Sequence, residues 1–94
     1  MRIRVQYTGQ LRTAIGRSED AIELPPASTL SCLLSHLAEY HGGEVQTHFV
    51  SPTGEARQSL LLVVNDQAKS PGEAATTVLE ADSIVVLLPP IAGG

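Results

Sequence analysis

The stretch TLSCLLSHL, residues 29–37, decides the fold, because its spacing predicts the one long helix of the chain. Its leucines recur at positions i, i+3, i+4 and i+7, which places one apolar face along a helix: Leu30, Leu33, Leu34 and Leu37. Ser28 or Thr29 caps the start of this helix, and Gly42-Gly43 supplies a left-handed stop. We expect the leucine face to pack across a sheet.

Two strands are predicted before this helix. Residues 1–8 alternate with a period of two, which is typical of a strand with one buried face. Residues 10–15, between two glycines, predict one or two helical turns. Residues 21–24 alternate again and stop at Pro25-Pro26, whose rings cannot donate to a ladder. We therefore expect a second strand antiparallel to the first.

Further strands are predicted after the helix. The apolar run of residues 60–64 predicts a third strand, either buried on both faces or central in the sheet, and Asn65-Asp66 ends it in a tight turn. Residues 77–79 predict a short strand. Residues 83–88 predict the last strand, which Pro89-Pro90 ends.

This order of elements predicts an α+β fold of the ubiquitin-like β-grasp type, in which a mixed sheet packs on one main helix. A right-handed crossover through the helix places a later strand beside the first strand. The last strand is then expected to lie next to the antiparallel pair of the first two strands. We predict a domain at residues 1–88 and a flexible C-terminal Gly-Gly tail at residues 89–94.

Composition restricts the class of protein. The 94 residues suffice for one domain, and the net charge of −4 argues against nucleic-acid binding, which requires a basic patch. No apolar stretch approaches the about 20 residues needed to cross a bilayer, and the start of the chain lacks the apolar region of a signal peptide. We expect a cytoplasmic protein that binds neither nucleic acid nor membrane.

The cysteine, histidine and lysine residues show no pattern typical of a catalytic or metal-binding site. Cys32 is the only cysteine, so the sequence predicts neither a disulfide nor a thiol-ligated zinc, and we interpret Cys32 as a structural residue flanking the apolar helix face. His36 and His41 are five residues apart, not the four of a helical metal pair, so we expect both to be solvated and no metal to be bound. Lys69, the only lysine, is interpreted as a solvated surface residue.

The terminal dipeptide Gly93-Gly94 has two readings. Two residues without Cβ allow the backbone to lie flat in a channel too narrow for a side chain, which would present the Gly94 carboxylate for chemistry. Alternatively, the dipeptide is a frayed end or a cloning remnant. The preceding double proline favours the first reading, because it stiffens the base of the tail and directs it away from the sheet.

The chain resembles the MoaD/ThiS family of sulfur-carrier proteins along nearly its whole length. The resemblance rests on residues 9–16, Val63-Val64-Asn65-Asp66, residues 80–85 and above all the ending Pro89-Pro90-Ile91-Ala92-Gly93-Gly94. Within the family, the double proline is most similar to the ending of molybdopterin synthase small subunits. The segment from Glu44 to Ser59 is longer than in compact members.

The resemblance implies that an ATP-using partner adenylates the Gly94 carboxylate, which then becomes a thiocarboxylate. The carrier itself would bind no cofactor and catalyse nothing. The implied partners are a ubiquitin-activating-type adenylyltransferase (MoeB/ThiF-like), the large subunit of molybdopterin synthase (MoaE-like) and a persulfide sulfur donor. The residues implied to enter partner sites are Pro89, Pro90, Ile91, Ala92 and Gly93.

Three alternatives stay open at this point. The sulfur acceptor could belong to cysteine or thiamine synthesis, which longer relatives and thiamine-type carriers represent. The chain could instead be a ubiquitin-like modifier that forms an amide between Gly94 and a substrate lysine. It could also be a β-grasp interaction domain with an inert tail.

Overall fold

The computed structural model describes residues 1–42, 49–50 and 60–88 of the chain. The whole predicted tail and most of the long segment from Glu44 to Ser59 lie outside the described residues. The described elements follow the chain in this order: β1 Arg2–Tyr7, α1 Gly9–Ile15, β2 Glu19–Glu23, α2 Leu30–His41, β3 Leu61–Val64, β4 Gln67–Lys69, a 3₁₀ turn Pro71–Glu73 and β5 Ile84–Leu88.

The five strands form one mixed sheet in the order β2-β1-β5-β3-β4. β5 lies at its centre, parallel to β1 and antiparallel to β3, whereas β1 and β2 are antiparallel. This arrangement confirms the predicted ubiquitin-like β-grasp fold. The parallel neighbour of β1 is the last strand rather than β3, because β3 pairs with the far side of β5.

The leucine face of α2 forms the second layer, as the spacing predicted. Its four leucines are fully buried against the sheet: Leu30, Leu33, Leu34 and Leu37. Thr29 caps the helix, since its Oγ1 accepts a 3.2 Å hydrogen bond from the Cys32 N–H. Gly42 ends it with φ of 61° and ψ of −167°, a conformation that is essentially restricted to glycine.

β3 is buried on one face only. Of the two alternatives predicted for its apolar run, burial on both faces is therefore wrong. Leu62 and Val64 face the helix layer and are buried, whereas Leu61 is 54% exposed. A single helix covers only one face of a sheet, so a continuous apolar run does not by itself imply burial on both sides. The core also receives Phe49, which is fully buried.

The connection from β3 to β4 is a two-residue hairpin turn. Asn65 and Asp66 have φ of 48° and 70°, the positive values of a type I′ turn, so the predicted tight turn is confirmed. The sequence prediction missed β4, whose three residues are too short to show a period. Conversely, the strand predicted at residues 77–79 is wrong, since the structure has only an isolated bridge between Thr29 and Val78 there.

The same turn holds the beginning of β5. The Asn65 N–H donates to the Ile84 carbonyl at 2.9 Å, and the Ile84 N–H donates to Asn65 Oδ1 at 2.9 Å. Asn65 therefore joins the hairpin to the central strand, which leads to the predicted tail.

Candidate functional site

The candidate site begins where β5 ends. Its last residue, Leu88, pairs with Leu61 of β3, and the preceding Leu87 is opposite Tyr7 of β1. The residues predicted to carry the chemistry, 89–94, lie outside the described residues, so their roles stay predictions. Leu87 and Leu88, the last residues before the predicted tail, form what we call the tail root: β3 lies beside Leu88, and the end of β1 lies beside Leu87.

Thr8 contacts this root directly. The Leu87 carbonyl accepts hydrogen bonds from the Thr8 N–H at 3.3 Å and from Thr8 Oγ1 at 3.2 Å. Thr8 is also the residue before α1, and its hydroxyl makes no capping bond to that helix. Both Thr8 donors are therefore directed at the last carbonyl before Leu88.

An apolar strip lies on the sheet face opposite α2, along β5 and β3. Leu61 is 54% exposed and Ile84 38% exposed. The strip, which we call the open strip, consists of Leu61, Val63, Ile84, Val86 and Leu88. The exposed side of the last strand therefore carries its even-numbered residues and reaches the root of the tail.

The other half of this sheet face is charged and paired within the protein. Arg2 Nε lies 3.2 Å from Glu23 Oε1, and Arg4 Nε lies 3.7 Å from Glu19 Oε2. All four side chains are exposed, so these pairs contribute little to stability. Their effect is to leave no unpaired arginine beside the open strip on β1.

A buried polar cluster lies where the end of β1 and the end of α2 meet the beginning of β2. The Tyr7 hydroxyl donates to Asp20 Oδ2 at 2.7 Å, and Arg17 Nη1 donates to Asp20 Oδ1 at 2.6 Å. His41 Nε2 lies 3.1 Å from Asp20 Oδ2 and 3.3 Å from the Tyr7 hydroxyl oxygen. The predicted solvation of His41 is therefore wrong: its side chain is 12% exposed, and it joins the end of α2 to β1 and β2.

Burial and hydrogen bonding shift the pKa values in this cluster in opposite directions. Burial and the bond to Asp20 raise the pKa of the Tyr7 hydroxyl far above its usual value. Burial alone would raise the pKa of Asp20, but the hydrogen bonds from Tyr7 and Arg17, together with the Arg17 charge, hold that pKa below its usual value. The cluster is thus a neutral phenol bound to a carboxylate.

Cys32 and His36 lie at a cavity of about 520 Å³ beside the first turns of α2. Cys32 is exposed, so it is not a core residue. The bond from the Thr29 hydroxyl lowers the pKa of its thiol. This cavity is separated from the tail root. α2 begins at the end of the sheet where β2 ends, whereas β5 ends at the opposite end of the sheet.

Within residues 1–42, 49–50 and 60–88, no group of three His, Cys, Asp or Glu side chains is arranged to hold a metal ion. Among the same residues, no helix has the length and apolar character required to cross a membrane.

The sequence model of the ThiS family matches residues 5–94. The chain belongs to the ThiS family. Members of this family are ubiquitin-like sulfur carriers and modifiers that are generally not catalysts themselves, and its sulfur carriers work with adenylyltransferase and synthase partners. The match includes the whole predicted tail, so the resemblance of the sequence to sulfur carriers is confirmed.

Solved structures similar to this ThiS-family chain share its fold. SAMP1 from Haloferax volcanii is 19% identical with a TM-score of 0.84, and the match covers 100% of each chain. A protein assigned as molybdopterin converting factor subunit 1 from Pyrococcus furiosus is 23% identical over 97% of this chain and 99% of its own, with a TM-score of 0.74. A chain of the Amycolatopsis orientalis BexX/CysO complex is 21% identical over 98% and 99%, with a TM-score of 0.71. Comparison with curated protein sequences gave no match.

Sequence reasoning missed Thr8 and the buried cluster of this ThiS-family chain. A threonine between a strand and a helix indicates an N-cap, which accounts for its position but not for its bonds to Leu87. Asp20 and His41 are 21 residues apart, and no local pattern predicts that they meet.

Proposed function

We propose that this chain is a sulfur carrier whose Gly94 carboxylate is converted to a thiocarboxylate, and that it serves as the small subunit of molybdopterin synthase. The observation that carries the proposal is the continuity of the central strand with the Pro-Pro-Ile-Ala-Gly-Gly ending, in a chain whose family model extends to Gly94. The pathway assignment rests on the double proline, which is most similar to small subunits of that synthase.

The proposed chemistry starts from a poor acyl donor, because a carboxylate has no good leaving group. In the first step a Gly94 oxygen attacks the α-phosphate of ATP, which forms an acyl-adenylate and releases pyrophosphate. The terminal sulfur of a partner persulfide then attacks the acyl carbon, and AMP leaves. A second thiol cleaves the resulting sulfur–sulfur bond, which releases the thiocarboxylate and a disulfide. The partners supply ATP, sulfur and catalysis.

The reach of the tail supports threading into a partner. Six residues follow Leu88, and an extended chain covers at most about 3.3–3.6 Å per residue, so a fully extended tail would span at most about 20–22 Å. Gly93 and Gly94 carry no side chain, which suits a narrow channel. Such a channel would also exclude water, which protects the reactive acyl group from hydrolysis.

The open strip supports docking beside that channel. It ends at Leu88, so a partner that covers it would hold the tail root at the mouth of its own active site. The neighbouring arginines are already paired with Glu19 and Glu23, so contact on this side would rest on apolar burial more than on new ion pairs. We therefore propose an apolar sheet-facing surface on the adenylyltransferase.

Intact-mass spectrometry tests the sulfur-carrier proposal. The chain is incubated with a ubiquitin-activating-type adenylyltransferase, ATP and a persulfide donor. We expect its mass to rise by the difference between one sulfur and one oxygen. A variant that lacks Gly94 provides the matched control and should keep its mass. An unchanged mass of the full chain, with an enzyme that activates another carrier in parallel, would refute the proposal.

The pathway is tested with the sulfurated protein. We expect the thiocarboxylate form, mixed with a molybdopterin synthase large subunit and the precursor of molybdopterin, to yield the dithiolene product. A cysteine-synthesis carrier would instead form cysteine with a matching synthase, and a thiamine carrier would supply the thiazole sulfur. A modifier would give lysine peptides linked to Gly94. Any of these results without dithiolene formation would reassign the pathway.

A further inference from the structure

Thr8 uses its side chain in an unusual way for a residue that precedes a helix. An N-cap threonine ordinarily accepts a hydrogen bond from the second or third N–H of its helix, but Thr8 makes no such bond to α1. Its hydroxyl donates instead to the Leu87 carbonyl at 3.2 Å, and its N–H donates to the same oxygen at 3.3 Å. The hydroxyl therefore serves the end of β5 rather than the helix.

Thr8 is itself held on both sides. The preceding Tyr7 is 3% exposed and bonded to Asp20. On the other side, the Leu11 N–H donates to the Thr8 carbonyl at 3.1 Å, and the Leu11 side chain is fully buried. Because neither neighbour can move without disturbing the core, the two Thr8 donors have a defined position relative to β5.

The bond acts at the point where pairing with β1 stops. The ladder between β1 and β5 ends at the pair Tyr7 and Leu87, whereas Leu88 still pairs with Leu61 on the other side. The orientation of the Leu87 carbonyl sets the plane of the peptide bond that leads into Leu88. Thr8 thus supplies the restraint on the β1 side of the tail root.

We propose that Thr8 is a positioning residue that fixes the direction in which the C-terminal tail leaves the sheet. This inference rests on the proposed function, since a fixed direction matters when the tail must enter a partner's channel. Ordering the root before binding lowers the entropic cost of association. Thr8 therefore acts on productive binding of the carrier rather than on the chemical steps at Gly94.

Steady-state kinetics of AMP formation test this role in the adenylyltransferase assay described above. Thr8→Val removes the hydroxyl and keeps the branched shape, and it costs α1 no capping bond. For Thr8→Val we expect the KM for the carrier to rise about three- to tenfold, the effect of losing one neutral hydrogen bond, with kcat unchanged. Thr8→Ser should restore the wild-type KM, because it restores the donor.

Thr76→Val is the matched control, because Thr76 Oγ1 also donates to a main-chain carbonyl, that of Glu73, at 3.2 Å. It should leave KM unchanged. A Thr8→Val variant with a lower melting temperature but a wild-type KM would show a purely structural role and overturn the proposal.

A measurement on the free chain separates this inference from the proposed function. If the wild-type chain is never adenylated, the proposed function fails, but the effect of Thr8 on the root is still measurable by ¹⁵N relaxation. We expect the Leu88 amide to become more mobile in Thr8→Val, while the Ile84 amide at the other end of β5 stays unchanged. Equal Leu88 order parameters in both proteins would overturn the role of Thr8.

Discussion

The Tyr7 hydroxyl donates a 2.7 Å hydrogen bond to Asp20 Oδ2 between the two strands that open the fold. Both residues are nearly inaccessible, at 3% and 7% exposure. A carboxylate in such a place is stable only when its oxygens are bonded, and here Arg17 and His41 complete its partners. This cluster fixes the end of β1, directly before Thr8 and beside the tail root.

Asp20→Asn should destabilise the protein by about 1–3 kcal/mol at pH 7, because the buried partners lose a charged acceptor. Urea denaturation monitored by circular dichroism measures this loss. Glu23→Gln, which alters an exposed ion pair, is the control and should have little effect. Equal midpoints for Asp20→Asn and the wild type would contradict the structural importance of the cluster.

Acid should remove the contribution of Asp20. Its folded-state pKa is lower than its usual value, so its stabilisation is fully present above about pH 4, the usual aspartate range, and is lost as pH falls through the folded-state pKa. We therefore expect the stability difference between the wild type and Asp20→Asn to shrink steadily below about pH 4. Melting temperatures between neutral and strongly acidic pH measure it, and a constant difference would contradict the assigned shift.

Backbone strain at Ala27 offers a stabilising substitution. Ala27 has φ of 66°, in a turn closed by the Ser28 N–H on the Pro25 carbonyl, where glycine is preferred. Ala27→Gly relieves about 1–2 kcal/mol of strain and costs about 0.5–1 kcal/mol of chain entropy, so a net gain of about 0.5–1 kcal/mol is expected. Thermal denaturation provides the measurement.

Gly42→Ala is the opposite substitution and should lower the melting temperature, since its φ of 61° and ψ of −167° suit only glycine. A decrease in stability for Ala27→Gly, or none for Gly42→Ala, would show that these conformations do not persist in solution.

Docking through the open strip predicts a selective defect in activation. Leu61→Asp places a charge beside Leu88 and should raise the KM for the carrier with the adenylyltransferase at least about tenfold. A tenfold rise corresponds to the loss of about 1.4 kcal/mol of binding free energy, which burial of this apolar side chain would supply. Val78→Asp is the matched control, because Val78 is similarly exposed, at 58% against 54%, but lies outside the strip. Equal effects of the two changes would place docking elsewhere.

Truncation in the helix face should affect stability without altering the chemistry of the tail. Leu34 is fully buried, so Leu34→Ala should cost about 2–5 kcal/mol by leaving a cavity under the sheet. Ser35→Ala, on the exposed side of the same helix turn, should be nearly neutral. A loss below about 1 kcal/mol for Leu34→Ala would mean that the core relaxes around the cavity.

The pattern of the sequence was sufficient for features that depend on near neighbours. The alternation in β1, the leucine face of α2 and the turn at Asn65-Asp66 are all local, and the structure contains each of them. The short strand β4 was missed because three residues carry too little pattern. Solvation of His41 was predicted wrongly because its partners, Tyr7 and Asp20, belong to distant strands.

For the candidate site, the sequence by itself determined the composition of the tail and its place after the last strand. It also determined the family, because the terminal residues and the order of elements are properties of the chain. Only the tertiary structure decided that β5 is central, which strip of the sheet stays open and that Thr8 holds Leu87. These features join residues as far as 79 positions apart, and such contacts arise from packing the whole sheet against one helix rather than from any local preference.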